Sequence, residues 1–446
     1  MGYRSRHALV HELSTTSIEG SLKGVNYDSA LTKYRGLRVL KICKALTEEA
    51  SSPVLNPVVG VDSYYTFFLP YPLLKPLNEV RGESAELSYT IVAAMLAHPT
   101  LDRVKSLTVG DSFASSIASG ILLSQLSREL PQKLNALKDS MLQHSRGNAW
   151  RRVIEEAVGR SILKVSEDIE AVVKVRRYIE EAAAGKGSSL SLEEHAEEVI
   201  RLAKNSDVRR LLEVLMKTKP WSTSLKKQKY TCRRGEISGY SLGRDLERLA
   251  PKMHALPPEV FLHKFIEGRL LLYEKRLAKD MGPIYCLIDK SGSMNGMKIT
   301  WAKAVAIGLY LRAVRETRCF YLRFFDSEVH QLLKASSGKA SEAIKVLDYL
   351  SRVKSSGGTD ITKAILMALS DLRRSTYKEL SEVVLITDGV DRVDELRIHR
   401  GLKAANARLL TVMVLGDNAN LRKVSSNYFT VVKLDKEEAL RVVELK

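Results

Sequence analysis

The run Ile284-Tyr285-Cys286-Leu287-Ile288 carries no charged or small polar residue. A strand with one wet face alternates apolar and polar side chains, so an unbroken run belongs to a strand covered on both faces. Largely apolar, strand-like runs, each with one or two polar or charged residues, occur at 319–325, 382–387, 409–415 and 428–434. Between and after them, residues 299–314, 341–350, 361–372, 396–405 and 436–445 repeat apolar residues three and four apart, the period of helices. Strands and helices in this order predict an α/β fold, a doubly wound, mostly parallel sheet over residues 282–446.

Upstream, the period changes. Residues 84–97, 111–130, 132–144, 165–184 and 192–203 all read as helices, with Asp111 and Ser191 at N-cap positions. Pro53, Pro57, Pro70, Pro72 and Pro76 crowd one earlier stretch, which predicts irregular or broken backbone there. Gly185 to Ser189 resembles a phosphate loop only superficially. Position 180 holds Glu and no strand precedes it, so a turn is the better account. Residues 1–216 are therefore predicted to be an all-α region. Lys217, Lys219, Lys226, Lys227, Lys229, Arg233 and Arg234 then gather around Pro220 and Trp221 without periodicity. Residues 217–281 read as a basic linker followed by connecting helices at 245–249 and 258–279.

A chain of 446 residues exceeds one ordinary core, which fits this division. Its formal net charge of +18 draws it towards nucleic acid, anionic surfaces or acidic partners. The four cysteines, Cys43, Cys232, Cys286 and Cys319, form no C-x-x-C pair, and Cys286 and Cys319 lie in apolar runs. That excludes a zinc ribbon and a disulfide framework and points to a reducing compartment. The first twenty residues lack an apolar signal core, and no apolar stretch approaches the roughly 20 residues of a membrane span. The expectation is a cytoplasmic protein with no membrane span.

Ligands of doubly wound sheets bind beyond the carboxyl ends of the strands. The loop after 284–288 is Asp289-Lys290-Ser291-Gly292-Ser293, the loop before the 361–372 helix is Gly357-Gly358-Thr359-Asp360, and the 382–387 strand closes on Thr387-Asp388-Gly389, each loop offering hydroxyl or carboxylate oxygens beside glycine. Asp289, Ser291 and Ser293 alternate, so one turning loop can aim three oxygens at a point. Thr359 adds a hydroxyl and Asp388 a carboxylate. An all-oxygen set without His or Cys suits Mg²⁺ or Mn²⁺ rather than Zn²⁺. The pattern D-x-S-x-S alone arises by chance in about one chain in ten of this length. Helix capping explains any one of these loops. It explains three of them, each at an element's end, far less well.

These five residues match, in order and without substitution, the metal-ion-dependent adhesion site of von Willebrand factor A (VWA) domains, which the C-terminal half resembles. The resemblance implies Mg²⁺ held by Ser291, Ser293 and Thr359, with Asp289 and Asp388 bound directly or through water. A partner's Glu or Asp carboxylate would complete the shell, and no catalytic residue is implied. Further upstream, Gly235-Glu236-Ile237-Ser238-Gly239, Asp245-Leu246, Arg248-Leu249, Phe265, Glu267, Leu270-Leu271 and Tyr273-Glu274 are similar to the segment preceding the A domain in CoxE/ViaA-like proteins. Gly282-Pro283 and Trp301-Ala302-Lys303-Ala304 also fit, whereas Lys252-Met253 departs from the pattern, where an acidic residue is typical. Such proteins work with MoxR-type AAA+ ATPases, which implies a protein-interaction adaptor.

The rival is an RNA-binding protein resembling the Ro autoantigen, with Trp221 and Tyr230 among the basic residues as stacking groups. A metal-dependent hydrolase is disfavoured by having only two carboxylates and no evident general base. The nine histidines show no ligand spacing. Lys290 and Lys303 read as solvated surface lysines, Asp394 as a helix cap, Asp391 as a cap or a supporting group, and Asp360 as a brace for the Thr359 loop.

Overall fold

The computed structural model describes residues 19–47, 52–140, 146–183, 195–216, 231–276 and 281–444, apart from 337, 376, 378 and 390. They fall into two compact units, residues 1–214 with 337–354, and residues 215–336 with 355–446.

The first unit is helical. Its elements are α1 (Ala30–Leu46), α2 (Pro57–Phe68), α3 (Glu83–Ala97), α4 (Leu101–Thr108), α5 (Ser112–Ser140), α6 (Arg146–Ala182), α7 (Ala196–Lys204) and α8 (Ser206–Met216). Helix α5 packs along α1 and α6. Ile117, Ile121, Leu122 and Leu126 of α5 are buried, as are Ile162, Val165, Ile169 and Val172 of α6. The buried serines of α5 satisfy themselves locally, Ser119 and Ser124 donating to the carbonyls of Ser115 and Ile121. Asp111 caps α5, accepting from Ala114 N at 2.9 Å. Asp62 of α2 is fully buried and accepts from Ser21 N, Ser21 Oγ and Ser88 Oγ at 2.9, 2.7 and 2.7 Å, and from the Tyr27 hydroxyl. One carboxylate thereby ties the amino-terminal segment and α3 to α2.

Prolines led sequence inference astray here. Pro57 opens α2 at its first turn, where a missing N–H costs nothing, and Asn56 caps the helix, so the proline-rich stretch contains 12 residues of helix. Pro131 lies inside α5, which continues to Ser140 instead of dividing into two helices. Helices α1, α4 and α8 were not anticipated. Ser191, His144, Gly185 to Ser189 and the basic cluster from Lys217 to Tyr230 lie outside the described residues.

The second unit opens with an antiparallel pair, β1 (Thr231–Gly243) and β2 (Leu270–Arg276), flanking α9 (Pro258–Glu267). The linker expected to run to Arg234 thus ends in a strand, and the helix expected over 258–279 stops at Glu267. Gly268 adopts φ +70°, a left-handed cap that L-residues resist, and the chain re-enters as β2. Leu270 and Leu272 are buried there while Leu271 is half-exposed, a period of two that an all-apolar run conceals. Residues 245–249 form a single 3₁₀ turn capped by Asp245 rather than a helix.

The main sheet contains β3 (Ile284–Asp289), β4 (Phe320–Phe325), β5 (Leu333–Ala335), β6 (Ser381–Thr387), β7 (Ala407–Val414) and β8 (Asn427–Val431) in the order β5-β4-β3-β6-β7-β8. All neighbours are parallel except β5, which runs against β4. The expected doubly wound architecture is present, with an unanticipated antiparallel edge. Helices α10 (Met297–Arg315), α12 (Ile361–Arg373), α13 (Glu395–Ala404), α14 (Ala419–Val424) and α15 (Lys436–Glu444) complete this unit. Every residue of β3 and β6 is buried. Tyr285 and Leu287 pack with Ile361, Ile365 and Leu369 of α12 and Ile398 of α13. Helix α10 packs on β3, β4 and α15, and Trp301 donates to the Asp435 carbonyl at 2.9 Å. Helix α11 (Ala340–Arg352), although it follows β5 in sequence, belongs to the first unit and packs on α6 and α7.

The chain leaves β3 towards β4 on one side and returns to β6 on the other. Between β3 and β6 the connections therefore diverge, opening the crevice in which doubly wound sheets bind ligands.

Candidate metal centre

Asp289 ends β3 and Asp388 directly follows β6, so both carboxylates stand at this divergence. Asp289 is fully buried and fixed from two sides. Its Oδ1 accepts from Ser291 N at 2.8 Å and its Oδ2 from Thr387 Oγ1 at 2.6 Å. Burial pushes its carboxyl group up from the ordinary range and the charge of Asp388 adds to this, while the Thr387 and Ser291 hydrogen bonds pull it back. The turn that Ser291 begins brings its Oγ within 3.0 Å of Ser293 Oγ.

The Thr359 loop is stitched to this turn by backbone. Gly292 N donates to Gly357 O at 3.1 Å, and Ser356 N donates to Lys290 O at 2.7 Å. Lys290 is buried rather than solvated. Its Nζ lies 2.5 Å from Asp326 Oδ2 and 3.1 Å from Ser356 Oγ. Asp326 in turn receives Asp360 N on its carbonyl at 3.0 Å and His330 Nε2 on its carboxylate at 3.2 Å. Burial raises the Asp326 carboxyl, but Lys290 and its other donors outweigh this and bring it down to about 2. Thr359 is half-buried within the braced loop. Asp360 does not brace that loop through its side chain; it caps α12, accepting from Lys363 N at 2.8 Å. Asp391 accepts from Ile361 N at 2.9 Å, and Asp394 caps α13. Lys303, like Lys290, is buried, contrary to expectation.

Asp388 is 5% exposed, and its two oxygens differ. Oδ2 is 3.1 Å from Lys298 Nζ of α10. Oδ1 is buried without a hydrogen-bond partner among the described residues. A buried carboxylate oxygen with no donor is costly, and a bound cation would offset that cost. Gly389 holds φ +78°, and a Cβ there would meet Met413 Cε at 2.1 Å, so the turn presenting Asp388 requires glycine. Two carboxylates, one with an orphaned oxygen, and paired hydroxyls suit a hard divalent ion; no group of three or more His, Cys, Asp or Glu able to hold a metal occurs among the described residues, this centre included.

The sequence points to Thr387 only as part of an oxygen-bearing loop, without a role, and not to Asp326 or Lys298. Thr387 carried a signal, since it precedes Asp388 at a strand's end. The other two are far from their partners in the chain and become visible only through pairing.

Residues 284–390 match the model of the von Willebrand factor type A domain family. The chain is 26% identical over 402 residues to the uncharacterized protein MJ0811 of Methanocaldococcus jannaschii, covering 87% of this chain and 90% of that one. It is 29% identical over 189 residues to the regulatory protein ViaA of Proteus mirabilis, with 37% of this chain and 38% of that protein aligned. Among solved structures, the von Willebrand factor type A protein from Catenulispora acidiphila is 17% identical, covering 39% of this chain and 44% of that one with a TM-score of 0.31.

Proposed function

Given that the chain carries a von Willebrand factor type A domain and is related to the regulatory protein ViaA, we propose that it is a cytoplasmic, non-enzymatic adaptor that grips an acidic side chain of a partner protein through Mg²⁺ or Mn²⁺. The observation that carries this is the orphaned Asp388 Oδ1, buried where the β3 and β6 loops diverge. Ser291, Ser293 and Thr359 would hold the ion with Asp289 and Asp388. A bound divalent ion supplies an open coordination position that favours an anionic oxygen from outside.

Asp289 accepts from Thr387 and Ser291, one donor on each oxygen, and Lys290 is held between Asp326 and Ser356, which supports reading both as holding and orienting groups. The helical unit offers a second surface for clients or for a MoxR-type AAA+ ATPase, the partner that the likeness to ViaA suggests. A pull-down with the MoxR-type ATPase of the same source organism tests this, in Mg²⁺, in EDTA, and with Asp289→Ala. Recovery in Mg²⁺ alone is expected; equal recovery in all three overturns the proposal.

A further inference from the structure

Lys298 lies in the first turn of α10, five residues after Ser293. A cation there opposes the helix dipole, whose positive end is at the N-terminus, so its placement needs a counter-charge. That counter-charge is Asp388, 3.1 Å away through Oδ2 and 3% exposed in its side chain, while the Lys298 side chain is 24% exposed. The ammonium therefore reaches into the candidate centre from its rim, on a stem with access to water.

Without a metal, this arrangement neutralises Asp388 and leaves Asp289 to its hydrogen bonds. Asp289 and Asp388 are both buried carboxylates. The Ser291 and Ser293 hydroxyls bring no charge. Lys298 is the cation that meets Asp388 among the described residues. A divalent ion on Asp388 Oδ1 would repel the ammonium held on Oδ2 of the same carboxylate, because two like charges a few ångströms apart in a partly dry site cost more than in water.

Resting on the metal-site proposal above, we propose that Lys298 is a built-in competitor of the divalent ion. It neutralises Asp388 when no ion is bound, keeping the empty centre folded, and it must leave Asp388 when the ion enters. Occupancy would then follow the ambient ion concentration instead of saturating at trace metal.

The test is calorimetric titration of the full chain with Mg²⁺ and Mn²⁺, comparing wild type, Lys298→Met, Lys298→Gln and Lys298→Arg, with Asp289→Ala as the control for heat from this site. Loss of a half-buried ion pair should tighten binding by about tenfold in the Met and Gln variants, with Arg staying near wild type. Thermal unfolding supplies a second readout. In EDTA the Met variant should melt below wild type, and saturating Mg²⁺ should remove the difference. Unchanged or weaker affinity in both Met and Gln variants overturns the Lys298 proposal while leaving the metal site standing. If neither wild type nor variants take up metal, both proposals fall. Uptake by the variants alone would support both.

Discussion

Thr387 Oγ1 donates to Asp289 Oδ2 at 2.6 Å, joining the last residue of one central strand to the last residue of its neighbour. The same hydroxyl accepts from Gly389 N at 3.1 Å, so one side chain registers both carboxylate-bearing turns. Replacing Thr387 by Val keeps the shape and removes the hydroxyl. A buried carboxylate oxygen is then left without its donor, at a cost of about 1–3 kcal/mol. Denaturant unfolding should show that loss, and Mg²⁺ titration should show weaker uptake. Thr387→Ser, which keeps the hydroxyl, should retain most of both.

Lys290→Met should loosen the two hydroxyl-bearing loops from each other. It removes the ammonium that bridges Asp326 and Ser356 and leaves the Asp326 carboxylate facing a buried methyl group. A destabilisation on the order of 2 kcal/mol is expected in denaturant melts. The double variant Lys290→Met with Asp326→Leu should recover part of it, because the unpaired charge is then gone. No recovery would mean that the pair is not the source of the loss.

Glu382, fully buried in β6, is met by Arg312, Arg318 and Arg408. Its Oε2 is 3.2 Å from both Arg312 and Arg318 but makes no well-aligned hydrogen bond, so those contacts are ionic, whereas Arg408 hydrogen-bonds to Oε1. Burial raises this carboxyl, but the guanidiniums, Arg312 foremost, outweigh it and hold it below the ordinary glutamate value. A depressed folded-state value contributes stability above the unfolded value, near pH 4.3, which is lost as pH falls through the folded one. Wild type should therefore lose stability on acidification below about pH 4.3, with less loss in Glu382→Gln. At neutral pH the Gln variant should be about 3 kcal/mol less stable, since buried Arg312 and Arg318 would keep only Glu316 and half-buried Arg408 would lose its carboxylate. Melts across pH 3–7 measure both.

In the helical unit, Asp62→Ala should cost about 3 kcal/mol or more, since it strands the donors of Ser21, Ser88 and Tyr27 together. Hydrogen exchange should show the segment around Ser21 opening ahead of α2. Uniform protection across both would refute the tie.

Residues whose place follows from the ends of apolar runs were legible; residues that act by being paired were not. The positions of Asp289 and Asp388 could be read from the chain because each stands just beyond a buried apolar run, 284–288 and 383–386. Ser291 and Ser293 followed by their spacing. Lys298 and Asp388 are 90 residues apart, and no local pattern distinguishes a lysine that reaches a buried carboxylate from one that reaches water. Lys290 was misjudged for the same reason. Leu270 to Tyr273 was read as helix because a run of apolar residues suits either period, and only pairing with β1 decided for a strand.

By itself, the amino-acid order determined the alternation of strand and helix, and with it the parallel sheet and the place of the two carboxylates. These rest on local hydrophobic period and on which residues begin and end an element, which a chain carries wherever it lies. Only the tertiary structure decided the β3–β6 divergence, the joining of α11 to the helical unit, and which lysine meets which aspartate. Those depend on contacts between residues far apart in the chain, whose energies arise only once packing has excluded water from between them.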